Sequence, residues 1–247
     1  MVNWKSLLFC IVVVFATAIL GCDKKDETGK TEPPKNTEPT VSSSGSGGPG
    51  GLSIDQVPAE LRTEGFDYYG LAHTAPIEFE VVMPNSTTPE TGTANTKLTE
   101  VKDGVATFIT ERTGPLEQLG AEEIVVKKDG IYNTKIGGQA VEPVQLVMPA
   151  EIPVGKTWTS KGKIELQNGQ TFTQDMTFKV ASQEKVKTKA GEFDALKITA
   201  QGTITVGDKR SQSNIAAWYV KGLGTVKMEI TTSEPKGKMT VEATKTS

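Results

Sequence analysis

Along the second half of the chain apolar residues recur at every other position. Leu196, Ile198, Ala200, Gly202, Ile204 and Val206 alternate with polar residues over eleven positions. Ile77, Phe79, Val81 and Met83 do the same, as do Val226, Met228 and Ile230, then Met239, Val241 and Ala243. Phe172, Met176, Phe178 and Val180 share one parity, and Ala216, Trp218 and Val220 extend the series. A period of two puts the apolar set on one face of an extended chain, so these runs predict half-buried antiparallel strands. Between them stand Asp103-Gly104, Asp129-Gly130, Asn168-Gly169, Gly207-Asp208 and Pro235-Lys236-Gly237, residues that supply the positive φ of tight hairpins. The expectation is a mainly β fold of roughly ten to twelve strands: a single antiparallel meander curled into a half-barrel, a barrel or a two-layer sandwich. One short N-terminal helix precedes it. Pro58 suits its first position, Val57 and Leu61 lie four apart, and Gly65 can close it.

The first half-hundred residues follow other patterns. One charge, Lys5, precedes an apolar run from Leu7 to Leu20 broken only by Thr17. Such a run makes about 21 Å of helix, short of a membrane core of about 30 Å, and fits the apolar region of a signal peptide. It ends in Ile19-Leu20-Gly21-Cys22, which resembles the lipobox of bacterial lipoproteins. The resemblance implies cleavage before Cys22, lipidation of its thiol and attachment to a bacterial membrane from the extracytoplasmic side, with inner and outer membrane left open. From Asp23 to Gly51 the chain is polar, with Val41 its sole aliphatic residue. It cannot bury enough apolar surface to offset the entropy of ordering, and it reads as a disordered tether with a mean reach of roughly 30 Å. The organisation expected is a signal peptide over 1–21, a lipidated tether over 22–51 and one β-rich extracytoplasmic domain over 52–247.

Composition narrows the functional classes. A formal charge of −3 with 27 basic and 30 acidic residues gives no general attraction to nucleic acid. One histidine and two cysteines leave little for a metal cluster or a disulfide framework, and no cofactor is expected. His73 is the sole histidine, and no Gly-x-Ser-x-Gly elbow accompanies it, so a loop histidine is the simpler reading. Glu78 and Glu80 share the polar face of their strand and read as solvated surface. Glu122 and Glu123 are adjacent and point to opposite faces, which argues against a carboxylate dyad. Lys185, Lys187 and Lys189 form a basic strip best explained as a charged edge.

Three patches further along carry a second resemblance. Val154-Gly155-Lys156-Thr157-Trp158-Thr159, then Lys189-Ala190-Gly191-Glu192-Phe193-Asp194-Ala195-Leu196-Lys197-Ile198, then Trp218-Tyr219-Val220-Lys221-Gly222-Leu223-Gly224-Thr225-Val226-Lys227 fall in order. They resemble the TapB-like extracytoplasmic domains of unknown function over residues 152–230. The likeness implies a curved antiparallel sheet and carries over no catalytic residue. Gly191 is expected at a positive φ, with Phe193 folded back onto the core, and both Trp158 and Trp218 are expected as core plugs on apolar faces. A lipid anchor, a tether and a concave sheet together point to a non-enzymatic binding module for an apolar or amphipathic ligand. Phe178, Ile198 and Trp218 are the residues expected to line its cavity. The alternative is a structural lipoprotein of the envelope that contacts another protein.

Overall fold

The computed structural model describes residues 52–84, 86–166 and 169–246. The signal peptide, Cys22, the tether and Asn168 of the Asn168-Gly169 turn lie outside the described residues. Twelve strands follow one another: β1 (Ile77–Val82), β2 (Glu90–Lys102), β3 (Val105–Arg112), β4 (Glu122–Lys127), β5 (Gly130–Ile136) and β6 (Gln139–Pro149), then β7 (Thr157–Glu165), β8 (Thr171–Thr188), β9 (Gly191–Val206), β10 (Lys209–Val220), β11 (Gly224–Ser233) and β12 (Lys236–Thr246). Each pairs antiparallel with its neighbours in sequence, and β1 pairs with β12, so the meander closes into a barrel. Closure leaves no free edge.

The predicted alternation holds on most walls. Ile77, Phe79, Val81 and Met83 are buried, as are Leu196, Ile198, Ala200, Ile204 and Val206. Facing outward are charged pairs such as Lys97–Glu111, Lys135–Glu123 and Lys161–Asp175. Apolar inside and charged outside is the inverse of a barrel that spans lipid.

Twelve strands enclose more space than wall side chains alone fill. The surplus is taken by the segment before β1, where the chain makes two short 3-10 turns (Ile54–Gln56 and Ala59–Leu61) and helix α1 (Glu64–Tyr69). Val57, Leu61, Phe66 and Leu71 pack on inward residues of both walls, among them Phe108, Ile124, Met148, Trp158 and Ile198. The helix therefore starts later than the sequence pattern predicts, and Gly65 lies inside it rather than at its end. Thr63 caps it through its hydroxyl, and Gly70 closes it at φ 80°. Gly65 is needed for approach, since a Cβ there would strike the carbonyl of Pro149, and its N–H donates to the Ala150 carbonyl at 2.9 Å. A third 3-10 turn, Gly114–Leu119, packs beside β2 and β3 and buries Leu116 and Leu119 in one apolar cluster with residues of β1, β11 and β12.

β8 and β9 outrun their neighbours, and a bulge between Val180 and Ser182 re-aims their far ends. The tip of this hairpin lies against β1 and β12. Lys189 Nζ reaches both Glu80 carboxylate oxygens at 2.6–2.7 Å, its N–H donates to Glu242 Oε1, and the Ala190 N–H donates to the Ala243 carbonyl.

Candidate functional site

Trp218 is paired in register with Lys197 of β9 and Lys227 of β11, whereas Ile198 is paired with Ala217. Trp218 therefore faces the opposite side of the wall from Ile198. It is not a plug of the barrel interior, as its apolar flanks predicted. It is 8% exposed because the hairpin arm covers it: Val186, Ala195 and Phe193 pack in the same cluster, and Trp218 Nε1 donates to Glu184 Oε1 at 2.9 Å. Lys197 and Lys227 stand over its ring at 4.9 and 5.5 Å. The hydrogen bonds from Trp218 and from Ser182 hold the Glu184 carboxyl below its usual pKa. Phe178 stacks on Trp158 at 5.2 Å, and Ile198 is 3% exposed within the core. Phe178 and Ile198 share the inner face, Trp218 sits outside it, and no single cavity wall holds all three.

The same registers build a different feature on the outer face. One row across the wall runs Thr157, Lys179, Thr199, Ala216 and Glu229; the next runs Thr177, Gln201, Asn214 and Thr231. These rows line an open groove of about 580 Å³ spanning β7 to β11. The next row along the wall is Lys197, Trp218 and Lys227. Ala216 is the sole apolar side chain that the register points into the groove, because Ala200 and Ile215 belong to the inner parity. Glu229 is held by Lys238 at 3.1 Å and by Lys227 at 3.9 Å. Lys179 has no ion-pair partner among the described residues.

Inside the barrel lies a charged cluster that the sequence pattern hid. Arg112 continues the inward parity of Ala106, Phe108 and Thr110; Glu122 shares parity with Ile124 and Val126; Asn133 follows Ile131. The Glu122 carboxylate, on a residue 3% exposed, accepts from Arg112 Nη2 at 2.7 Å and from Asn133 Nδ2 at 2.6 Å. The Tyr69 phenol of helix α1 is buried and feels this carboxylate's charge, and burial together with the Glu122 charge pushes its pKa well up. Arg112 Nη1 also donates to the Gly120 carbonyl. Burial likewise raises the Tyr219 phenol. The cluster sits where plug meets wall, and both Glu122 carboxylate oxygens are already engaged by wall donors. A polar residue at the end of an apolar alternation was the signal that could have found it.

The remaining sequence candidates are dispersed. Glu123 faces outward, as expected: burial pushes its pKa up, but hydrogen bonds from Lys135 and Thr134 and the Lys135 charge outweigh this and leave it lowered. Glu78 and Glu80 lie on the outer surface, bonded to Thr244 and Lys189. Lys185 pairs with Glu192 and Asp194 across the arm. His73 is half-buried beyond α1, its N–H bonded to the Gly70 carbonyl. No cluster of metal-ligating residues occurs among the described residues, and no helix among them is long and apolar enough to cross a membrane.

These features define a closed, plugged, twelve-stranded barrel with an open polar groove on one wall. Residues 141–243, from β6 to the end of the barrel, match the DUF3108-like family model, and this span takes in all of 152–230. No curated protein matches the chain. The crystal structure of a "putative lipoprotein" from Parabacteroides distasonis is similar at 9% identity, with a TM-score of 0.51 over 72% of this chain and 97% of that one. The likeness is one of fold. The hypothetical lipoprotein YmcC from Escherichia coli aligns at 12% identity over 74% of this chain and 91% of that one, with a TM-score of 0.34.

Proposed function

We propose that this protein is a lipid-tethered, extracytoplasmic, non-enzymatic binding module whose ligand lies in the groove on the outer face of β7–β11. The observation that carries the reading is the groove itself: about 580 Å³ of open, side-chain-lined space on a wall whose other side is packed core. The leader over 1–21 followed by Cys22 supports the tether, and so does the lipoprotein described for the Parabacteroides fold relative. The dispersal of the acid–base candidates supports a non-catalytic role: His73, Glu80 and Glu122 stand on different elements, and the two glutamates are each held by a cation. Of the apolar and amphipathic ligands the sequence pointed to, the groove suits an amphipathic one, because Thr, Gln, Asn, Lys and Glu side chains along it carry polar tips on a largely carbon-lined floor.

The test places a photoreactive side chain at Gln201 in the full-length protein and irradiates living cells. The expected result is a crosslink to non-protein envelope material, absent when the same side chain replaces Glu111 on β3. A crosslink to one discrete protein would instead support the structural role. Equal labelling from Gln201 and Glu111 would overturn the groove as the binding surface.

A further inference from the structure

We infer that the groove is a subsite for an acidic saccharide, a hydroxyl-rich ligand whose carboxylate lies on Lys179; this deepens the binding reading above and rests on it. Thr177, Thr199, Gln201 and Asn214 make no side-chain hydrogen bonds among the described residues, so their donors and acceptors face solvent. A threonine hydroxyl or a carboxamide both donates and accepts, which is what a ring of hydroxyls requires of its partners.

The charge argument adds the acid. Glu229, the groove's carboxylate, is already neutralised by Lys238 and Lys227, while Lys179 is not paired. The groove therefore keeps one unpaired positive charge, on Lys179, which suits an anionic group. Competing occupants fit less well. A peptide cannot add to this wall by strand pairing, because β8, β9 and β10 are paired on both sides. An acyl chain would find only Ala200, Ile215 and Ala216 as apolar residues among eight polar ones whose hydroxyl, amide and charged groups it could not satisfy. A nucleic acid would need many cations on phosphates, and the whole chain carries a formal charge of −3.

The test titrates the full-length lipoprotein, held in nanodiscs, with a hyaluronan octasaccharide, an oligogalacturonate and the neutral chitohexaose. At least one acidic oligosaccharide is expected to bind, and Lys179→Gln should weaken it about tenfold, the loss of one charge-assisted hydrogen bond. Asn214→Ala should also weaken it, and Lys128→Gln, at an exposed turn far from the groove, should not. Failure of both acidic ligands overturns the inference, as does binding indifferent to Lys179→Gln. If chitohexaose binds as well as the acidic ligands and Ala216→Arg abolishes it, the acidic specificity is overturned while the groove reading stands. If no saccharide binds and the Gln201 crosslink is also lost, both fail together.

Discussion

Glu122 shows how much one buried side chain decides. Its carboxylate is bound by Arg112 and Asn133 from the wall, and its removal would leave the Arg112 guanidinium, 13% exposed as a side chain, without its counter-charge. Breaking a buried pair from one side costs about 3–5 kcal/mol, far more than the pair itself contributes relative to apolar packing. Glu122→Ala should therefore lower the urea-unfolding free energy by about 3 kcal/mol. Replacing Glu111 of the exposed Lys97–Glu111 pair by Ala should change it by less than about 1 kcal/mol. Equal effects of the two substitutions would contradict the reading of the cluster as a buried lock. Glu122 also marks a limit of pattern reading. Its parity against Glu123 is legible from adjacency, but its burial is not, because a period-two scan treats every glutamate as solvent-facing. The same limit hid Arg112 and Asn133.

The elements divide in the same way. The strand from Leu196 to Val206 is legible in full, since one parity is apolar throughout and a one-residue slip would expose all of it. β2, Glu90–Lys102, is not, because thirteen mostly polar residues carry no alternation and are held as a strand by pairing with β1 and β3. The side on which Trp218 lies is not legible in the sequence, because Ala216 and Val220 suggest an inward parity that Ile215 and Ala217 in fact occupy, and because the arm that shelters it arrives from β8 and β9. The arm has a pH signature. Hydrogen bonding holds Glu184 below the unfolded value, so its contribution to stability is present above the ordinary carboxylate pKa, near 4.5, and is lost as pH falls through its lowered folded value. In a Trp4→Phe, Trp158→Phe background, Trp218 fluorescence should shift as pH drops below about 4.5, and Glu184→Gln should remove that transition. A shift that survives Glu184→Gln would place its cause elsewhere. The plug offers a second element-scale test. Phe66 is 1% exposed and meets Phe108 edge-on at 6.1 Å, so Phe66→Ala should cost about 3–5 kcal/mol in chemical denaturation. A loss below about 1 kcal/mol would mean the segment is an appendage rather than part of the core.

At the scale of the molecule, the barrel is not equally knit all round. β8 and β9 share sixteen registered pairs, whereas β6 and β7 share one, Glu142 with Lys163. Beside that pair the buried Gln145 side chain packs onto the bare backbone of Gly162, filling the seam with a side chain where other walls have a ladder. Local opening follows the thinnest hydrogen bonding, so amides of β6 and β7 should exchange with deuterium well before those of β8–β10. Uniform protection around the wall would contradict this. The groove lies on the well-laddered side, which keeps its two rows of side chains in fixed register.

What could be read locally was read: alternation marks the strands, Asp-Gly and Gly-Asp pairs mark the hairpins, and a meander follows because neighbours in sequence pair most cheaply. Both are properties of a few adjacent residues, and their energetics act within one hairpin. Closure is different. The β1–β12 seam joins Ile77 to Thr246, and no local pattern distinguishes a sheet that closes from one that curls or folds into two layers. The same holds for the polar residues that went inside, for the arm over Trp218 and for the outer groove. Each depends on segments far apart in the chain meeting at one place, where burial and charge are set by the partner rather than by the residue.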